Sequence, residues 1–229
     1  MITLAIDTAT PDTVVGAVSG SDTLAERRLG PGPDGRPRHG TALLGLLGEV
    51  IDAAGGWERV GRLGVGVGPG SFTGVRIGLA TARALAQARR LPIVGVRSTD
   101  ALAAGIEAGR GVDRVAVIDA RRQEVFAAVL RAGEPTTDEP IVAAPERLSE
   151  ELQLAPGALA AGDGAVRFRG ELEAAGIEVP ADGDPAHRLS ARHVGALAAK
   201  TEDGAVEDVK PLYLRRPDAE RWRKRDGRD

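Results

Sequence analysis

The chain has no cysteine among its 229 residues. That absence removes disulfides, thiolate metal ligands and a thiol nucleophile together. Aromatic residues are only 3 % of it, so a core must be built from Val, Leu, Ile and Ala. Histidine is scarce as well: His39, His187 and His193 are the three. The last two stand six apart, which misses the i, i+4 spacing that puts a zinc pair on one helix face. No apolar run approaches the roughly 18 residues of a membrane span. The opening MITLAIDTATPD has no basic region and reaches an aspartate at once, unlike a signal peptide. A cytoplasmic location is the expectation. The formal charge of -3 gives no whole-chain case for a nucleic-acid or membrane binder.

The hydrophobic fraction of 42 % fits a globular protein, and the length suits one domain or two small ones. The organising stretch is RLGVGVGPGSFTGVRIGLATARALAQARR, residues 62–90. Residues 63–67 read as a buried strand, Gly68-Pro69-Gly70 as a turn, and 75–89 as a long helix with Ser71 or Thr73 at its N-cap. A glycine turn opening a helix either connects two elements or accepts an anion on free N–H groups. It is not a P-loop, because no Gly-Lys-Thr/Ser follows, and it does not satisfy G-x-G-x-x-G. On the helix, Gly74, Gly78, Thr81 and Leu85 make a line slim enough for close helix approach, while Arg76, Arg83, Gln87 and Arg90 share another face.

Around this stretch the pattern alternates. Residues 2–6, 14–18 and 24–29 predict an antiparallel meander, and 30–38 a Gly/Pro/Arg loop. A helix over 41–54 carries Leu43, Leu44, Leu46, Leu47, Val50 and Ile51. That is more than one buried stripe needs, so it has either a second packing partner or deep burial in its own domain. A strand over 93–96 and a helix over 101–107 follow, with Ser98-Thr99-Asp100 as its cap. A glycine-rich hinge at 109–112 marks a domain boundary. Beyond it come strands at 115–118 and 125–130, a short one at 141–144, helices near 145–148 and 167–175, a last helix over 191–200 capped by Ser190, and an extended run at 209–214. Residues 216–229 are charged and locally basic, expected to be partly disordered or to touch RNA phosphates.

Candidate chemistry is thin. Asp7, Thr8 and Thr10 after the first strand, with Gly68, Gly70 and Ser71, can hold a phosphate or magnesium ion, although a hairpin turn explains the first three equally. No serine stands in a G-x-S-x-G elbow. Asp119 and Glu124 are paired acids of a kind hairpin turns commonly carry. The residues alone define no catalytic set and no metal site.

Four segments in order, AIDTAT (5–10), GPGSFTGVRIGLATARALA (68–86), IDARRQEVFAA (118–128) and PLYLR (211–215), resemble the TsaB (YeaZ) family, bacterial subunits needed to make N6-threonylcarbamoyladenosine at position 37 of tRNA. The resemblance implies an α/β, actin-like ATPase (ribonuclease H-like) fold with two mixed-sheet lobes, the second reduced. It divides the chain into an N-terminal lobe (1–108), a C-terminal lobe (109–215) and a tail. It implies a non-catalytic subunit, because the metal-binding His-x-x-x-His of the paralogue TsaD is missing here. Partners would be TsaD in a heterodimer and the ATPase TsaE, with tRNA met through the complex and a homodimer formed through the same helices. ATP and magnesium would be used by those partners, and this chain would have no cofactor of its own. The interface would use Leu43, Leu44, Leu47, Val50 and Ile51 on the first helix and Gly74, Gly78, Thr81 and Leu85 on the second. Departures are Gly40 after His39, where the family usually has Ser, and Asp-Thr-Ala-Thr in place of Asp-Thr-Ser-Thr. The second lobe is matched least. The competing readings are a stand-alone ATP-dependent enzyme using Asp7 and the 68–74 loop, or an M22-type peptidase homologue.

Overall fold

A computed structural model describes residues 1–215; the expectations for the 216–229 tail lie outside them. Strands β1 (Ile2–Asp7), β2 (Thr13–Ser19) and β3 (Asp22–Leu29) form the meander. Helix α1 (His39–Ala53), strand β4 (Val60–Gly66), helix α2 (Phe72–Arg89) and strand β5 (Ile93–Val96) follow. The sheet order is β3-β2-β1-β4-β5, antiparallel through β1 and parallel from β1 to β5. The β4–β5 join is the strand–helix–strand crossover that the 62–90 pattern requires, and β4 reaches β1 by way of β2, β3 and α1.

A short helix α3 (Ser98–Ala103) leads to a second sheet of β6 (Arg114–Asp119), β7 (Val125–Leu130), β8 (Ile141–Ala143) and β9 (Leu159–Ala161). A one-turn helix α4 (Leu148–Glu151) precedes β9. The order β8-β7-β6-β9 repeats the antiparallel trio and first parallel strand of the first sheet. It stops one strand short, which is the reduction of the second lobe. Helices α5 (Asp163–Arg167) and α6 (Arg169–Ala174) take the place of the single helix expected over 167–175, the chain turning at Phe168. Helix α7 (Ala191–Lys200) closes the regular structure, with the Ser190 hydroxyl accepting from the Arg192 amide as its cap.

Strand alternation sorts the first sheet's faces. Leu4, Ile6, Val15, Leu63 and Val65 pack against Leu43, Leu47 and Val50 of α1 and Leu79 and Ala82 of α2. Ala5, Val14 and Val94 face the other way, onto Ala191, Val194 and Ala198 of α7. This last contact runs across the sequence division. Helix α7 falls within 109–215 but packs on β2, β1, β4 and β5 of the first sheet. Its approach depends on missing side chains: a Cβ on Gly16 would lie 2.6 Å from the Ala191 Cβ, and one on Gly64 2.8 Å from that of Ala198. Arg62, buried, then donates to the Ala198 carbonyl at 2.7 Å and pairs with Asp203 at 2.7 Å, tying down the helix's C-terminal end.

Two boundaries move for physical reasons. Helix α1 starts at His39, two residues before the expected Thr41, because the buried imidazole seats its first turn. Helix α3 starts at Ser98 instead of being capped by it. The Ser98 hydroxyl is turned inward and donates to the Asp7 carboxylate at 2.7 Å.

Candidate interlobe cleft and partner surface

A cleft of ≈ 520 Å³ opens between the two sheets. Gly70, Ser71 and Phe72 at the start of α2 form one wall. Ile118, Asp119 and Arg121 of the β6–β7 hairpin, with Asp163 at the start of α5, form the other. Leu212, Tyr213, Leu214 and Arg215 run along the cleft, with Ala9, Pro11 and Pro37 also in the lining.

The six residues singled out for a phosphate are split by the fold. Gly70 and Ser71 line the cleft; Asp7, Thr8, Thr10 and Gly68 do not. Asp7 is 1 % exposed, and its carboxylate accepts from the Ala9 amide and the Ser98 hydroxyl, both at 2.7 Å. Gly66 leaves room for it, since a Cβ there would run into the carboxylate. Burial pushes the Asp7 carboxyl up to about 6, against the pull of those two hydrogen bonds. Thr8 is buried and donates to the Gly74 carbonyl at 2.7 Å. Gly68 takes φ +91°, and its carbonyl accepts from the Ser98 amide at 2.8 Å. At the start of α2, the Ser71 amide donates to the Ala9 carbonyl at 2.7 Å and the Gly74 amide to the Ser71 hydroxyl at 3.2 Å. Both N–H groups serve the fold. The Ser71 and Gly74 amides and the Asp7 carboxylate are thus bonded within the chain, and Asp7 lies outside the cleft that Gly70 and Ser71 line.

The second wall holds charges that the sequence reading undervalued. Asp119 pairs with Arg167 at 2.7 Å and with Arg121 at 3.2 Å. Asp163 accepts from the Asp119 amide at 3.3 Å. Burial is the main force pushing its carboxyl up to about 6, with the neighbouring Asp119 charge adding to it. The Gly-Asp-Gly triplet at 162–164 was the available signal: a helix-opening acid between glycines. Arg121, Arg122 and Gln123 take φ of 62°, 57° and 60°, an uncommon run of left-handed residues that turns the hairpin beside the cleft. Among the described residues no three His, Cys, Asp or Glu side chains are grouped as metal ligands would be.

His39 was left without a role by its sequence context. Its Nδ1 lies 2.8 Å from the Thr13 hydroxyl, and burial holds its pKa below the usual imidazole value.

The helix surfaces sort themselves differently from the expected interface. Leu43, Leu47, Val50 and Ile51 are buried in the first core, and Leu85 packs against it. Thr81 is half-buried. Gly74 and Gly78 admit no second chain: a Cβ would sit 2.0 Å from the Thr8 carbonyl oxygen and 2.3 Å from the Thr8 hydroxyl respectively. Their small size lets α2 cross the end of β1. The exposed positions include Leu44, at 72 %, with Gly45 and Gly48 on α1 and Ala80, Ala84 and Ala88 on α2, alongside charged neighbours such as Glu49 and Arg89. The arginine face of α2 is also occupied from within, since Arg76 donates to the Tyr213 hydroxyl and Arg83 to the Val206 carbonyl, both at 2.9 Å.

A family model of tRNA N6-adenosine threonylcarbamoyltransferase, TsaD, matches residues 34–216. The tRNA threonylcarbamoyladenosine biosynthesis protein TsaB of Escherichia coli is 32 % identical over 239 residues, covering 99 % of this chain and 99 % of that one. The structure of YeaZ from Pseudomonas aeruginosa matches with a TM-score of 0.75 and 25 % identity, over 93 % of this chain and 99 % of that one. A ROK hexokinase from Thermus thermophilus, at 14 % identity and a TM-score of 0.51 over 87 % of this chain and 99 % of that one, shares the fold alone. Two mixed sheets of repeated order facing a cleft thus define an actin-like ATPase fold with a reduced second half. The chain belongs to the threonylcarbamoyltransferase-related family described by that model and, within it, to TsaB (YeaZ).

Proposed function

We infer that the chain acts in making threonylcarbamoyladenosine on tRNA as a non-catalytic subunit that binds and supports the paralogue TsaD. The observation that carries this reading is the set of exposed small or apolar positions, Leu44, Gly45, Gly48, Ala80, Ala84 and Ala88, on two helices in contact in a TsaB-family chain. Small residues let a partner helix approach closely, and a bare leucine supplies apolar area to bury. The cleft supports the same reading, since Asp7 and Thr8 are committed to internal hydrogen bonds. The chain then needs no cofactor of its own. ATP and magnesium are used by partner subunits, the ATPase TsaE joins through the complex, and tRNA is met there. A homodimer through the same positions forms when the paralogue is absent. A role on tRNA supports a cytoplasmic chain; no helix among the described residues is long and apolar enough to cross a membrane.

The test is reconstitution of tRNA modification from the paralogue and the ATPase, with and without this chain. Modification that proceeds equally without it, or modification or ATP hydrolysis by the chain alone, overturns the reading. The interface is tested with Leu44→Glu and Ala84→Arg, both at exposed positions. Each abolishes co-elution with the paralogue while leaving Tm within about 2 °C of the parent.

A further inference from the structure

The segment after α7 runs along the first half of the molecule before it crosses the cleft. Gly204 bridges Ile93 of β5, the Val206 carbonyl accepts from Arg83, and Val209 is buried. The Leu212 amide donates to the Val67 carbonyl at 2.8 Å. The next three residues make the crossing. The Tyr213 ring lies 5.1 Å from that of Phe72, and its hydroxyl accepts from Arg76. Leu214 packs against the cluster that contains Leu102, Ile118 and Phe126. Arg215 donates to the Ala120 carbonyl at 3.0 Å and pairs with Glu124, both at the β6–β7 hairpin.

We propose that residues 204–215 are a latch that holds the two walls of the cleft together at its mouth, and that release of Tyr213, Leu214 and Arg215 lets the second sheet turn about α3. Helix α3 is a second tie and the pivot, beside the return segment in which His187 accepts from the Gly162 amide and the Leu189 carbonyl accepts from Arg28. Ser98 is bonded to Asp7 on one side, and Leu102 and Ala103 are buried with Ile118 on the other. The latch is weaker than α3. Phe72 and Tyr213 are each 38 % exposed, whereas Leu102 and Ala103 are fully enclosed. Elements held by few, solvent-accessible contacts open first. The latch depends on contacts within this chain and is independent of the partner reading.

The lack of cysteine makes the test direct. Ser21→Cys in the β2–β3 turn and Gly170→Cys on α6, both exposed and outside the proposed partner surface, carry one spin label on each half of the full chain. The parent gives one narrow distance distribution. Adding Tyr213→Ala broadens it toward longer separations, and Leu214→Asp does so further. In both variants the Leu212 amide exchanges about tenfold faster or more, while the amides of β1 and β2 keep their protection. An unchanged label distance alongside faster Leu212 exchange overturns the proposal, because the segment would then detach without moving the lobes. So does equal loss of protection in both sheets, which is general destabilisation. If Leu214→Asp fails to fold, the milder Tyr213→Ala decides the matter alone.

Discussion

Gly78 lies where α2 crosses Thr8, and two opposed effects meet there. Alanine gains about 1 kcal/mol of helix propensity over glycine. At Gly78 its Cβ would sit 2.3 Å from the Thr8 hydroxyl, which is already bonded to the Gly74 carbonyl. Overpacking costs about 1–3 kcal/mol and a lost hydrogen bond about 1 kcal/mol more, so the clash wins. Gly78→Ala is expected to lower stability by about 1–3 kcal/mol in a denaturant titration. Gly45→Ala, at an open helix position, is expected to raise it by up to about 1 kcal/mol. A loss at Gly45 equal to that at Gly78 would contradict this assignment. Asp7 carries a prediction in pH. Its folded pKa of about 6 exceeds the ordinary 3.8, so between these values the folded chain binds more protons than the unfolded one. The Asp7 contribution to stability is therefore fully present below about pH 4 and declines as pH rises through 6. Asp7→Asn removes that slope. Relative to the parent, the variant gains up to about 3 kcal/mol between pH 4 and 7, and a difference that is flat with pH would refute the buried ionisable role.

At the scale of elements, local signals were the legible part. The alternation over 2–29, the strand–turn–helix over 62–90 and the Ser190 cap all reappear, because hydrogen-bond periodicity and capping depend on neighbours in sequence. Ser190→Ala is expected to cost about 1–2 kcal/mol, read as lost stability with faster amide exchange in α7. The hydroxyl also donates to Glu26 of β3, so the exchange change is expected at that strand as well. The surplus of leucines on α1 was legible too, but its division was not. Four of the five candidate positions on that helix turned inward and Leu44 outward. A sequence gives the face of a helix relative to itself; which arc meets the sheet depends on the crossing with α2. Ser98 shows the same limit. A serine before a helical run reads as a cap, yet its hydroxyl goes to a carboxylate ninety-one residues away in sequence.

For the whole molecule, the two-sheet plan makes the cleft and decides which residues meet in it. Asp119 and Asp163 stand forty-four residues apart and are brought together by the parallel pairing of β6 with β9. The return of α7 to the first sheet and the crossing of residues 212–215 bring the chain's end into contact with both halves. The sequence by itself determined the elements, their order and the family, because these rest on local propensity and on long specific runs such as residues 68–86. Only the tertiary structure decided what those runs are for. Gly74 and Gly78 read as room for another molecule, and they are room for Thr8. Asp7 read either as a phosphate or magnesium contact or as a turn residue, and its buried carboxylate accepts from the Ala9 amide and the Ser98 hydroxyl. The physical reason is shared: side-chain size and charge are encoded locally, but the group each one meets is fixed by packing between segments far apart in the chain.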